Sequence, residues 1–125
     1  MISRMGARHV TRVLPGLIAA ARKASHPVVW LCDPMHGNTV VTDSGSKTRY
    51  LDAMTSEVLS FVDVARSENV FPGGLHLELT GERVEECVSV PGLTPGRSTT
   101  LCDPRLNRNQ GMELARSWGN ALLAR

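Results

Sequence analysis

The stretch PVVWLC at residues 27–32 and the polar loop DPMHGNT at residues 33–39 together indicate the fold class of this chain. A run of β-branched and apolar residues is typical of a strand that is buried on both faces. A loop rich in Asp, Gly and Asn then ends that strand. Because strands buried on both faces belong to parallel sheets covered by helices, the stretch predicts an α/β protein.

Outward from this strand, strand and helix patterns alternate along all 125 residues. The order β-α-β-α-β-α predicts three parallel strands in the order 1-2-3, joined by right-handed crossovers. Residues 33–47 are expected to form a loop. The other predicted elements are the end of a strand at 2–5, a helix at 8–24 whose longer piece has Pro15 in its first turn, a helix at 48–68, a strand at 74–80, a short helix at 82–88, a loop at 90–100 and a helix from Asn107 capped with Gln110.

Composition excludes several classes of protein. Hydrophobic residues make up 42% of the chain and charged residues 21%, which is globular composition rather than disorder. A net charge of +2 and an aromatic content of 4% argue against a nucleic-acid-binding protein. No apolar run is long enough to cross a membrane, and three cysteines without a Cys-x-x-Cys pair indicate reduced thiols. We expect a cytoplasmic protein without nucleic-acid or membrane partners.

Three residues that follow or end predicted strands have the chemistry of metal ligands. His36 lies in a Gly/Asn loop, Glu78 faces away from the leucines of its strand, and Asp103 precedes a helix. One imidazole and two carboxylates suit Mn²⁺, Co²⁺ or Zn²⁺. Each residue also has an ordinary interpretation: a loop histidine, a solvated carboxylate on an edge strand, and a turn or capping aspartate.

Cationic residues are predicted on the same face as these carboxylates. Arg4, Lys47 and Arg49 would favour an anionic substrate such as a phosphate or a carboxylate. The alternative is that they are solvated surface residues.

Five segments, in this order and spacing, closely resemble class II, plant-type, 3-deoxy-D-arabino-heptulosonate 7-phosphate (DAHP) synthase. The resemblance covers nearly the whole chain. It is carried by ISRMG (2–6), VVWLCDPMHGNT (28–39), KTR (47–49), PGGLHLELTGERVEEC (72–87) and CDPRLN (102–107).

The resemblance implies that residues 1–125 form one partial barrel domain, the last units of a (β/α)8 barrel. Three strands are too few to close a barrel, so the barrel would be open in this chain. It implies condensation of phosphoenolpyruvate with erythrose 4-phosphate, the first step of the shikimate pathway to aromatic amino acids. A divalent metal (Mn²⁺, Co²⁺ or Zn²⁺) would be bound by His36, Glu78 and Asp103. Arg4 would bind phosphoenolpyruvate, and Lys47 would be a catalytic and substrate-binding lysine.

The resemblance also implies an incomplete site, because the family's cysteine ligand and its other phosphoenolpyruvate contacts lie in earlier barrel units. We therefore expect a truncated or split form of the synthase, which would act with an amino-terminal complementing chain or by self-association. The alternative is a non-catalytic remnant or a partner-binding fragment.

Overall fold

The computed structural model describes residues 1–96 and 101–124. Three strands form a parallel sheet in the order β1-β2-β5, which confirms the predicted order, and this sheet does not close within the described residues. The elements are β1 (Ile2–Ser3), α1 (Val10–Lys23), β2 (Trp30–Cys32), β3 (Thr39–Val41), β4 (Lys47–Arg49), α2 (Leu51–Ser67), β5 (Pro72–Leu75) and α3 (Arg108–Leu123).

The third parallel strand lies earlier in the chain than predicted. It covers Pro72–Leu75 rather than residues 74–80, and only Leu79 beyond it forms a further bridge, to Leu106. Gly73 is an extra residue in the pairing, since Trp30 pairs with Pro72 and Leu31 with Gly74. Gly74 has a φ of +153°, which glycine adopts easily, so the two glycines allow a bulge. The alternation of Leu75, Leu77 and Leu79 with polar residues placed the predicted strand too late in the chain.

The prediction of a loop over residues 33–47 is wrong in part, because β3 and β4 form an antiparallel hairpin there. Thr39, Val40 and Val41 are β-branched residues, which favour extended backbone. Gly45 has a φ of +81° in the connecting turn, and the amide of Thr42 donates to the carbonyl of Ser46. The hairpin brings residues 47–49 back towards the polar loop that follows β2.

Helix α1 continues through Pro15, contrary to the predicted break into two pieces. Val10, Leu14 and Ile18, at four-residue steps on both sides of the proline, are all buried. Burial of this stripe outweighs the backbone hydrogen bond that the proline cannot make.

Helix α2 packs against α1, α3 and β5, and it forms the centre of the core. Helix α3 begins as predicted, since Asn107 and Gln110 form a complete capping box. No helix among the described residues is long and apolar enough to cross a membrane. The main buried side chains of α2 are Met54, Val58, Phe61, Val62 and Ala65.

The short helix predicted at residues 82–88 does not form. Side chains distant in sequence bind its carbonyl groups instead: Thr48 donates to Glu86, Asn107 to Val84 and Gln110 to Cys87. Residues 90–96 form the predicted loop, whereas residues 97–100 of that prediction lie outside the described residues.

Candidate functional site

The polar residues singled out in the sequence lie at the carboxyl end of the parallel sheet. Arg4 directly follows β1, Asp33 directly follows β2, and Glu78 lies three residues after β5. Because parallel strands end at the same edge, the fold gathers these side chains on one side of the molecule.

Asp33 organises the turn that carries His36. Its carboxylate is 1% exposed, and Oδ1 accepts the amides of Met35 at 3.0 Å and His36 at 3.1 Å. Its Oδ2 lies 2.6 Å from Nδ1 of His36 and 3.6 Å from Nε of Arg4. Since a carboxylate can only accept, Nδ1 donates to Asp33, and Nε2 is the imidazole nitrogen that faces away from Asp33. A histidine held in this way is oriented for metal ligation or proton transfer.

Glu78 lies where Nε2 of His36 points. Its Oε1 is 3.3 Å from Nε2, and its Oε2 is 2.5 Å from Nη1 of Arg49. Glu78 is one-third exposed, and its amide donates to the sulfur of Met35. Two of the predicted metal ligands therefore meet, with one carboxylate oxygen beside the imidazole and the other on a guanidinium.

Arg49 is the charged group at the centre of the site, and its side chain is fully buried. Nε donates to the hydroxyl of Thr39 at 2.8 Å, and Nη1 donates to the carbonyl of Pro104 as well as to Glu78. Nη2 is buried, has no hydrogen-bond partner among the residues that the structure describes, and lies 3.8 Å from Oδ2 of Asp103. The guanidinium thus joins the segment after β5 to the segment before α3.

Asp103 lies beside these cations. Its Oδ1 accepts from Nζ of Lys47 at 2.8 Å, and its carboxylate is more exposed than that of Glu78. The Lys47 hydrogen bond, helped by the charges of Lys47, Arg49 and His36, lowers the pKa of Asp103 below its ordinary value. Asp103 is therefore an ionised carboxylate that lies next to both Lys47 and Arg49.

All six residues singled out in the sequence, together with Asp33, belong to one connected series of polar contacts. In order of contact, its members are Arg4, Asp33, His36, Glu78, Arg49, Asp103 and Lys47. Within residues 1–96 and 101–124, no three His, Cys, Asp or Glu side chains are arranged to hold a metal ion as they stand. His36 and Glu78 are adjacent, whereas Asp103 is engaged with Lys47.

Two residues at this site were underestimated from the sequence. Asp33 carries a local signal, because an aspartate three residues before a histidine can cap the turn and hold the ring. Arg49 carries none, because its burial depends on Glu78 and Pro104, which are distant in sequence.

The cysteines take no part in this cluster. Burial raises the pKa of the Cys32 thiol far above its ordinary value and that of Cys87 to about 12. Both are therefore neutral, unreactive thiols, as expected for small buried hydrophobic residues. Cys102 is free and exposed.

Comparison with known proteins gives the family of the chain. The model of the class-II DAHP synthetase family matches residues 1–118. Phospho-2-dehydro-3-deoxyheptonate aldolase AroG of Mycolicibacterium smegmatis is 44% identical over 121 residues, covering 92% of this chain and 26% of the relative. A probable phospho-2-dehydro-3-deoxyheptonate aldolase of Pseudomonas fluorescens is 43% identical over 121 residues, covering 94% of this chain and 30% of the relative.

The chain thus spans between a quarter and a third of the length of these curated relatives. The family model matches nearly every residue, and both relatives are more than 40% identical, so the three comparisons agree on the family of the chain. The chain belongs to the class-II DAHP synthetase family.

Proposed function

We propose that this chain supplies the carboxyl-terminal part of a DAHP synthase active site, which condenses phosphoenolpyruvate with erythrose 4-phosphate at the entry to aromatic biosynthesis. The observation that carries the proposal is the continuous series of contacts from Arg4 to Lys47 at the carboxyl ends of the strands. It combines donors for a divalent cation with two exposed cations, Arg4 and Lys47, that suit phosphorylated substrates.

The donors fit a divalent metal such as Mn²⁺, Co²⁺ or Zn²⁺. His36 offers Nε2 while Asp33 holds Nδ1, and Glu78 presents an oxygen 3.3 Å away. Asp103 would provide the third ligand, by releasing one oxygen from Lys47 or using the oxygen nearer Arg49. One imidazole and two carboxylates are ligands that these metals accept. When bound, the metal polarises the aldehyde of erythrose 4-phosphate as a Lewis acid.

The cations would bind and orient the anionic substrates. Arg4 is more than half exposed and forms one ion pair with the residues that the structure describes, so its guanidinium is available to hold phosphoenolpyruvate. Lys47 is similarly exposed and would bind a substrate oxygen while it orients Asp103, which is the catalytic and substrate-binding role proposed for it. Arg49 is buried and would hold Glu78 in place.

We further propose that residues 1–125 are one partial barrel domain, the last units of a (β/α)8 barrel. The sheet has three parallel strands, and apolar side chains beside it are exposed: Ile2 by 46%, Val29 by 66% and Phe71 by 79%. Exposed apolar groups of this size favour contact with further protein. The partner we propose is a polypeptide carrying the amino-terminal barrel strands, in the same or another chain, with self-association as the alternative.

The test is reconstitution of turnover. The 125-residue chain is purified, and phosphoenolpyruvate consumption is measured with erythrose 4-phosphate and Mn²⁺. The assay is repeated after addition of the part of the M. smegmatis relative that lies outside the matched region. We expect no turnover from the chain alone and turnover from the mixture, because near-attack geometry needs the complete site.

A His36→Ala chain in the same mixture is the control, and it should give none of this turnover. A mixture that forms a complex without turnover would instead support the second candidate, a non-catalytic fragment that binds a partner. The exposed apolar side chains favour that candidate equally, so activity is the measurement that separates the two.

A further inference from the structure

Glu57 of α2 is a fully buried carboxylate that the proposed chemistry does not use. Its Oε1 accepts the backbone amide of Gly6 at 3.0 Å, and its Oε2 accepts Nδ2 of Asn38 at 2.7 Å. Gly6 lies two residues after Arg4, and Asn38 lies two residues after His36. One side chain of the central helix therefore binds both loops that carry site residues.

Asn38 completes the connection between the two loops. Its Oδ1 accepts the amide of Ala7 at 3.0 Å, and its Nδ2 also donates to the carbonyl of Pro34 at 2.8 Å. The loops also touch directly, since a Cβ built on Gly6 would lie 2.5 Å from the carbonyl oxygen of Gly37. Contacts of two kinds, polar and steric, thus fix the same pair of segments.

We propose that Glu57 is a positioning residue that, together with Asn38, sets the separation between Arg4 and the His36 imidazole. We call the contacts among Glu57, Asn38, Gly6 and Ala7 the clamp. The inference about Arg4 and His36 rests on the proposed function, whereas the existence of the clamp does not.

Above its pKa Glu57 is a carboxylate that only accepts, and the clamp uses both of its oxygens in this way. The groups facing Glu57 are N–H donors, so a glutamine in its place would direct an N–H₂ group at another donor. Turning the amide of Asn38 does not help, because its N–H₂ would then face the amide of Ala7. The variant Glu57→Gln should therefore open the clamp although the size of the side chain hardly changes.

The same reasoning gives a rescue. In the double variant E57Q/N38D, the carboxylate introduced at position 38 would accept from both the new glutamine and the amide of Ala7, while the glutamine oxygen would accept from Gly6. The double variant loses the bond to Pro34 but restores a donor for every acceptor in the clamp. A role that depended only on the packing of residue 57 would not be rescued in this way, because the side chain at position 57 is the same in the single and the double variant.

Two controls separate the clamp from general effects. Val58→Ala removes a fully buried apolar group next to Glu57 and lowers stability without touching the clamp. Asp63→Asn removes a negative charge from an exposed position of the same helix.

The first measurement is amide hydrogen exchange of Gly6 and Ala7, with the NMR resonances of the His36 imidazole, in the full chain above the pKa of Glu57, which burial raises to about 7. We expect E57Q to speed exchange at both amides by about tenfold and to shift the imidazole resonances, as loss of one buried hydrogen bond implies. E57Q/N38D should recover most of the protection, and the two controls should keep the wild-type imidazole resonances. If E57Q does not fold, recovery of a folded chain by N38D carries the same support.

The second measurement is Mn²⁺ binding to the same variants. We expect E57Q to weaken binding by about tenfold, which is typical when a group that orients a ligand is disturbed, and V58A to leave it unchanged. Wild-type exchange rates in E57Q, or a double variant no better than the single one, would overturn the clamp. A wild-type chain that binds no Mn²⁺ would count against the proposed metal site, and the exchange rates would still decide the clamp.

Discussion

The two halves of the candidate site are held in place by different means. The imidazole half comprises Arg4, Asp33 and His36. Here the buried carboxylate of Asp33 organises the turn that carries His36, and Glu57 of α2 binds the same loop through Asn38. In the aspartate half, comprising Lys47 and Asp103, the two partly exposed side chains are held together by one ion pair. The difference shows that one half derives its geometry from packed backbone and the other from charge.

Arg49 joins the two halves, so its removal has the largest expected effect. Arg49→Met leaves Glu78 and the carbonyl of Pro104 without their buried donor. We expect the free energy of unfolding to fall by about 3 kcal/mol, because Pro104, Thr39 and the partly exposed Glu78 all lose a fully buried donor. Urea unfolding followed by circular dichroism measures this change.

The matched control is Arg22→Met, which removes an exposed arginine paired with Glu68. Its effect should stay below about 1 kcal/mol. Equal unfolding midpoints for the two variants would mean that Arg49 does not bind the halves together.

The buried carboxylate beneath the imidazole half should make stability fall as pH rises. Burial raises the pKa of Glu57 from 4.5 to about 7, so the folded chain keeps a proton that the unfolded chain has already lost between these values. Raising the pH through this interval therefore disfavours the folded state, by on the order of 3 kcal/mol from this group.

Urea unfolding of the wild type and of Glu57→Gln across this interval isolates the contribution. The glutamine variant lacks the titrating group, so the difference in stability between the two chains should shrink as the pH rises from 4.5 to 7. A difference that is constant with pH would contradict the raised pKa.

Within the imidazole half, Asp33→Ala should lower the free energy of unfolding by about 2 kcal/mol, because two backbone amides and Nδ1 of His36 lose their acceptor. Chemical denaturation gives the change, and the NMR resonances of the His36 ring report its release. Asp43→Ala, in the hairpin turn, is the control and should behave as wild type. An unmoved imidazole in the Asp33 variant would show that the turn holds its shape alone.

The smallest effect is expected in the aspartate half. Lys47→Ala should raise the pKa of Asp103 towards its ordinary value of 3.8, because its first stabilising contact is that lysine. Since the folded pKa is lowered, this pair stabilises the fold above that value and the benefit disappears as the pH falls. NMR titration of Asp103 in both chains measures the shift, and high salt should reduce it. A shift that persists in the alanine variant would assign it to Arg49 instead.

Sequence predicted best the features that depend on neighbouring residues. The capping box of Asn107 and Gln110 and the turn that presents His36 are local, and both lie where they were expected. Residues 82–88 resemble a helix locally, yet Thr48 and Asn107 bind their carbonyl groups from far along the chain. The burial of Arg49 depends on the same kind of distant contact. The periodicity of a sequence carries no information about partners that are distant along the chain. The order of the parallel strands was therefore predictable, whereas the burial of Arg49 at the centre of the site was not.

The β3–β4 hairpin offers a practical point of attachment for probes. Its register is fixed by the pairs Thr39–Arg49, Val40–Thr48 and Val41–Lys47, whereas the turn at residues 42–46 projects from the far end of both strands. Extra residues at such a turn cost little closure entropy and leave the strand pairing intact. A fluorophore or an affinity tag inserted there would report on assembly while Lys47 and Arg49 keep their places.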